Sequence, residues 1–149
     1  MTVSAQVEAP VLIVGGGPVG MTMALCLAKR GIASYLVELR SANTLADVKC
    51  NHISARSMEL FRSLGVSQDL RAAGLPDHYP HDVSYRTSTL GEEIARIHIP
   101  GRNTRLSDHS GPDGNWPTPE PPHRINQRYI EPILRRHVEK HSLITCLYR

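Results

Sequence analysis

Two features of the sequence combine residue types and spacing that suit a defined chemistry. The first is the run Val11-Leu12-Ile13-Val14 followed by Gly15-Gly16-Gly17-Pro18-Val19-Gly20. The second is Glu38, which lies 21 residues after Gly17 at the end of an apolar stretch. A helix N-terminus presents unpaired backbone N–H groups and a partial positive charge, and both attract phosphate. A diphosphate must approach the main chain closely, where side chains would block it. Gly15 suits the tight turn, Gly17 the close approach and Gly20 the packing of helix on strand. Pro18 fits the first helical turn, where a missing N–H costs little. A carboxylate about 20 residues further on is placed to accept from a ribose diol. Together these residues describe a dinucleotide site, and their physics alone leaves NAD(P) and FAD both open.

The surrounding elements must position that site. Residues 11–14 are wholly apolar, which predicts a parallel strand buried on both faces. The stretch VGMTMALCLAKRG then carries Met21, Leu25 and Ala28 at helical spacing, with Lys29 and Arg30 in the last turn and Gly31 as terminator. ASYLVEL reads as a second strand, so the unit is a right-handed strand–helix–strand crossover. A polar loop leads to SARSMELFRSLG, a helix with apolar Met58, Leu60, Phe61 and Leu64, and then to SQDLRAAG, a shorter one capped by Ser67 and stopped by Gly74. DVSYRTST and EEIARIHI flank Leu90-Gly91 as an antiparallel hairpin. Residues 100–122 hold six of the 11 prolines and predict a long ordered loop or a flexible cover, and Trp116 within it also suits a peptide-binding edge. Helical periodicity returns in QRYIEPILRRHVEK, with Pro132 as a local flaw, and SLITCLY predicts a closing strand.

Bulk properties narrow the function classes. The chain has 149 residues, a net charge of +3 and a mean hydropathy of −0.27. Its basic residues are interspersed with acids, which does not favour nucleic acid as a partner. No apolar run approaches the roughly 18 residues of a membrane span, and the first ten residues do not form a secretory signal. Cys26, Cys50 and Cys146 suit reduced thiols in a cytoplasmic setting. His137 and His141 lie one helical turn apart without a third ligand at a recognisable distance, so no metal site is expected. Of the other histidines, His78, His81, His98, His109 and His123 have no regular interval and are expected at the surface.

Longer motifs carry a resemblance. Gly15, Gly17, Gly20, Ala24 and Gly31 resemble the extended motif of FAD-binding flavoproteins with nicotinamide-linked chemistry. KCNHISARSMELFRSLGV resembles the corresponding stretch of flavin-dependent aromatic hydroxylases, the group containing phenol and para-hydroxybenzoate hydroxylases. PPHRINQRYIEPIL resembles that family's return into the flavin domain, so the likeness covers roughly residues 10–149. The resemblance implies that Lys49 faces FAD where many relatives have arginine, that Asn51 lies in a loop near flavin and substrate, and that Gln127 touches FAD. Arg56 matches a helix arginine. Lys49 lacks the planar fork of arginine. The usual Glu-Arg pair reads Glu38-Leu39-Arg40 here, which shifts Arg40 along the chain.

The expected fold is therefore α/β, a Rossmann-like three-layer FAD/NAD(P)-binding domain with the start of a β-rich substrate domain. Residues 1–75 are expected to form the FAD-binding crossover unit and following helices, 76–123 a substrate-domain hairpin and loop, and 124–149 the return to the FAD-binding domain. The chain lacks the family's later Asp-Gly segment and Gly-Asp motif and is expected to be the truncated front of a larger fold. The implied activity is hydroxylation of a phenolic or other aromatic substrate with FAD, NAD(P)H and dioxygen. No catalytic side chain is identified, because the cofactor carries the chemistry. The implied partners are a small aromatic substrate and either the remaining half of the fold or a second copy. An NAD(P)-dependent Rossmann dehydrogenase and an inactive nucleotide-binding fragment are the alternatives.

Overall fold

The structure, a computed structural model, describes residues 9–42, 44–46, 48–109 and 118–149. In chain order the elements are β1 (Val11–Val14), α1 (Pro18–Ala28), β2 (Ser34–Glu38), α2 (Ala55–Ser63), α3 (Ser67–Ala73), β3 (Val83–Arg86), β4 (Glu93–Ile97), α4 (Gln127–Glu139) and β5 (Ile144–Tyr148), with a 3₁₀ turn at Arg102–Thr104. They divide into two compact units, Met1–Lys49 with Gln127–Arg149, and Cys50–Asn126.

The first unit is α/β. Its three strands pair in parallel in the order β1-β2-β5, with Ile13 beside Leu36 and Leu36 beside Cys146. Both crossovers advance in the same direction across the sheet, so right-handedness puts α1 and α4 on one face. The two helices pack on each other there. Met21, Ala24, Leu25 and Ala28 of α1 are buried, as are Ile130, Ile133, Leu134 and Val138 of α4. Pro132 sits within α4, where it removes one backbone donor without ending the helix.

The second face of this sheet corrects an expectation. β1 is parallel but not buried on both sides, for Leu12 is 63% exposed and Val14 80%. Their neighbours on that face are Tyr35, Val37, Thr145 and Leu147. The described residues thus supply a helical layer and a sheet layer, and the apolar character of β1 exceeds what these two layers cover. α1 also ends two residues earlier than its periodicity suggests. Lys29 is its C-cap, and Arg30 lies beyond it yet still donates to the Cys26 carbonyl at 3.0 Å.

The second unit gathers α2, α3 and the β3–β4 hairpin. Ser54 caps α2 by accepting from the Ser57 N–H. Ser67 does not cap α3 as expected, because the helix begins at Ser67 itself, Val66 is the N-cap and no side chain bonds there. The hairpin is antiparallel, with an irregularity between Tyr85 and Arg86, and every residue of both strands is exposed. The stretch 110–117 of the expected loop or cover, including Trp116, lies outside the described residues.

Two histidines expected at the surface are instead buried, His81 at 4% and His123 at 2% exposure. The His123 backbone bridges to Ile53, its ring bonds the Leu70 carbonyl at 2.9 Å, and Gly74 is bare where that ring passes. Burial pushes the pKa of each down to about 4, the Arg124 charge adding to this at His81 and the Leu70 carbonyl opposing it at His123.

The one-sided sheet has a measurable signature. Leu36 is 1% exposed at the centre of the helix-covered face. Leu36→Ala is expected to destabilise the protein by about 2–5 kcal/mol in urea unfolding. Val14→Thr, on the open face, is expected to stay within about 0.5 kcal/mol of the parent.

Candidate functional site

The site grows from the junction of β1, α1 and β2. Gly15 continues the sheet pairing by donating its N–H to the Val37 carbonyl at 2.8 Å. It then adopts φ +110, a conformation an L side chain rarely takes. Gly17 is the N-cap of α1, which has no side-chain cap and no acidic residue in its first turn. The positive end of that helix therefore has no anion supplied by its own first turn.

Each glycine has a separate reason. A Cβ on Gly15 or Gly17 would meet nothing within 4 Å, so the ground beside the turn is open. A Cβ on Gly20 would run into the Gly15 carbonyl oxygen, which is how the helix comes so near the strand. Gly16, given no individual role by its spacing, is where Glu38 lands. A Cβ there would sit 2.8 Å from the Glu38 Cβ.

Glu38 faces the turn. Its Oε2 accepts the Gly16 N–H at 2.7 Å, and its Oε1 accepts the Arg40 N–H at 2.9 Å. The Arg40 side chain returns to the same carboxylate, with Nε 3.3 Å from Oε1 and Nη2 3.4 Å from Oε2. The intervening Leu39 therefore does not separate Arg40 from Glu38. The Arg40 side chain, its backbone N–H and the Gly16 N–H hold the Glu38 pKa down at about 2 against the opposing effect of burial. The same pairing with Glu38 raises that of Arg40.

The network continues into α4 through a residue that spacing did not reveal. Arg40 Nη2 also lies 3.4 Å from Oε2 of Glu131, whose other oxygen accepts from Gln127 Nε2 at 2.8 Å. Glu131 is 1% exposed. A carboxylate so buried is tolerable only when charged or polar partners replace its water. The signal in the sequence was an acid between Ile130 and Ile133 on the apolar stripe of a helix. Arg135, one turn further, donates to the Ala42 carbonyl and ties the loop after β2 to α4.

The structure thus joins Gly16, Glu38, Arg40 and Gln127 in one continuous network at the glycine turn of the first unit. Lys49 closes the first part of that unit and is exposed. Asn51 belongs to the second unit, where its Oδ1 accepts from Arg124 Nη1 at 3.4 Å. Arg56 pairs with Glu59 at 2.9 Å on the exposed side of α2. No helix among the described residues is long and apolar enough to cross a membrane.

Comparison with known proteins decides between the two dinucleotides. Residues 8–147 match the family model described as FAD binding domain. The chain belongs to that family. It corresponds to the N-terminal FAD-binding domain of phenol hydroxylase-like flavoprotein aromatic monooxygenases. It is 34% identical over 129 residues to the FAD-dependent monooxygenase apdD of Emericella nidulans, a match covering 84% of this chain and 20% of that protein. It is 33% identical to a phenol 2-monooxygenase of a Pseudomonas species, covering 86% and 20% respectively. Among solved structures, the rebeccamycin biosynthetic enzyme RebC with reduced flavin superposes with a TM-score of 0.74 at 35% identity, over 95% of this chain and 26% of that one. The flavin-dependent monooxygenase PieE, in complex with FAD and substrate, gives 0.76 at 29% identity, over 97% and 24%. The chain spans about a fifth of the length of these curated relatives.

The depressed pKa of Glu38 fixes a stability window. Its folded value of about 2 lies below the ordinary 4.5. The ionised carboxylate therefore stabilises the fold fully above pH 4.5, and that contribution is lost as pH falls through about 2. Urea unfolding across this range is expected to give a shallower pH slope for Glu38→Gln than for the parent. Glu93, also held down near 2 by the Arg96 and Ser84 side chains, keeps part of the slope in both.

Proposed function

We propose that the chain is the dinucleotide-holding part of an FAD-dependent monooxygenase that uses NAD(P)H and dioxygen to hydroxylate a phenolic or related aromatic compound. The observation that carries this reading is the 2.7 Å bond from the Gly16 N–H to Glu38 beside an uncapped helix N-terminus with open ground at Gly15 and Gly17. A diphosphate requires that bare, positively polarised main chain, and an adenosine ribose requires the carboxylate next to it. The residues fit the cofactor.

In this reading the Gly15-Gly16-Gly17-Pro18-Val19-Gly20 turn receives the diphosphate, and Glu38 serves the ribose, with Arg40 lying against its carboxylate at the same end of the cofactor. Lys49, Asn51 and Gln127 serve the flavin half, as the resemblance implies. Bound FAD supplies electron transfer from NAD(P)H and the activation of dioxygen, chemistry for which amino-acid side chains are unsuited. The chain's own task is to bind, orient and shield. Residues 1–75 and 124–149 would form the FAD-binding part and 76–123 the start of the substrate region. The substrate class is supported by relatives whose names specify phenol and, in Cupriavidus pinatubonensis, 2,4-dichlorophenol. A cytoplasmic setting goes with the free state of Cys26, Cys50 and Cys146.

Titration of the chain with FAD, followed by quenching of flavin fluorescence, tests the reading. Saturable binding is expected, with NAD(H) binding at least ten-fold weaker. Gly17→Ala has room for its methyl group and is expected to keep the parent's melting temperature while weakening FAD binding about ten-fold or more. Tight NAD(H) binding without FAD uptake would make the protein a nicotinamide-dependent dehydrogenase instead.

A further inference from the structure

Arg40 is divided between two carboxylates, and this division has a use. Its Nη2 stands 3.4 Å from Glu38 on one side and 3.4 Å from Glu131 on the other. Both contacts exceed the 2.7–2.9 Å of a well-formed charge-assisted bond. Meanwhile the two short bonds at Glu38 come from the backbone, at Gly16 and at Arg40 itself. A carboxylate offers about four acceptor positions. The backbone takes two, and the Arg40 side chain takes the other two.

A ribose diol carries two O–H donors, so it needs the two positions that the guanidinium holds. Displacing a cation into water would leave the buried Glu131 without its charged partner, at high cost. Moving it a short way onto Glu131 avoids that. Gln127, already bonded to the other Glu131 oxygen, holds this carboxylate in place to receive it. Glu131 also borders a cleft of about 180 Å³ between α4 and the loop after β2.

We propose that Glu131 is a positioning residue for nucleotide binding. It draws the Arg40 guanidinium off Glu38 as the adenosine ribose takes its place, so that Arg40 is exchanged between carboxylates and Glu38 stays fully paired with or without ligand. This rests on the reading of Glu38 as the ribose acceptor.

The test is a double-mutant cycle on the full chain, with dissociation constants for FAD, ADP and 2′-deoxy-ADP in the parent, Glu131→Gln, Arg40→Met and the double variant. Glu131→Gln leaves Arg40 wholly on Glu38, where it competes with the ribose. It is expected to weaken FAD and ADP about ten-fold and to weaken 2′-deoxy-ADP, which offers one hydroxyl fewer, clearly less. Arg40→Met removes the competitor and is expected to tighten ADP about three-fold. In the Arg40→Met background, adding Glu131→Gln is expected to change affinity less than two-fold. An undiminished Glu131→Gln loss without Arg40, or an equal loss for both adenosine nucleotides, would show a merely structural role and overturn the exchange. So would a marked loss of binding in Arg40→Met. ADP binding without FAD binding would sink the flavin assignment while leaving the exchange to be judged on ADP. Refusal of both by the parent would sink both.

Discussion

One hydrogen bond organises the first unit, that from the Gly16 N–H to the Glu38 carboxylate. It fastens the end of β2 to the turn between β1 and α1, and it can form only because Gly16 has no side chain. Around it the requirements interlock. Gly15 must turn with φ +110, Gly20 must let the helix close on the strand, and the helix must begin without a cap or an acid of its own. Each condition would be a local weakness in an ordinary crossover. Here they leave one polarised, uncovered stretch of main chain with a carboxylate at its side whose pKa is held well below the usual range.

The charge network extends this arrangement to a helix remote in sequence. α4 contributes Glu131 and Gln127, one turn apart, so they act as a pair on the same side of the helix. A buried acid in the apolar stripe of a helix is unfavourable alone, and its cost is offset only if the chain from Glu38 to Arg40 reaches it. The fold of the glycine turn and the placement of α4 are therefore coupled through Arg40, which touches both carboxylates.

The sequence was most readable where chemistry and backbone geometry coincide. The glycine turn, Glu38, the parallel crossover, the antiparallel pairing of the hairpin and the return helix were all visible, because bare backbone, strand periodicity and helical periodicity leave local marks. What was hidden depends on partners far along the chain. Arg40 seemed displaced by Leu39, yet an arginine side chain is long enough to come back to Glu38 from two residues away. Glu131 acquires meaning only beside Arg40, 91 residues earlier. His81 and His123 lie in irregular segments, where pattern carries no burial signal; His123 is buried at its bridge to Ile53, and His81 lies edge-on to the His52 ring with Arg124 on its carbonyl. The run at β1 was correctly apolar, but composition does not state how many of a strand's faces a given stretch of chain will cover.

That uncovered face has a consequence for handling the molecule. Leu12, Val14 and Leu147 stand on a sheet whose outer strands among the described residues, β1 and β5, also leave main-chain donors and acceptors unpaired. Oily side chains beside free strand edges are adhesive toward any extended peptide, another copy included. Among the described residues this small plane is fitted to receive a further strand or helix, and a mutation that wets it should change solubility without touching the glycine turn.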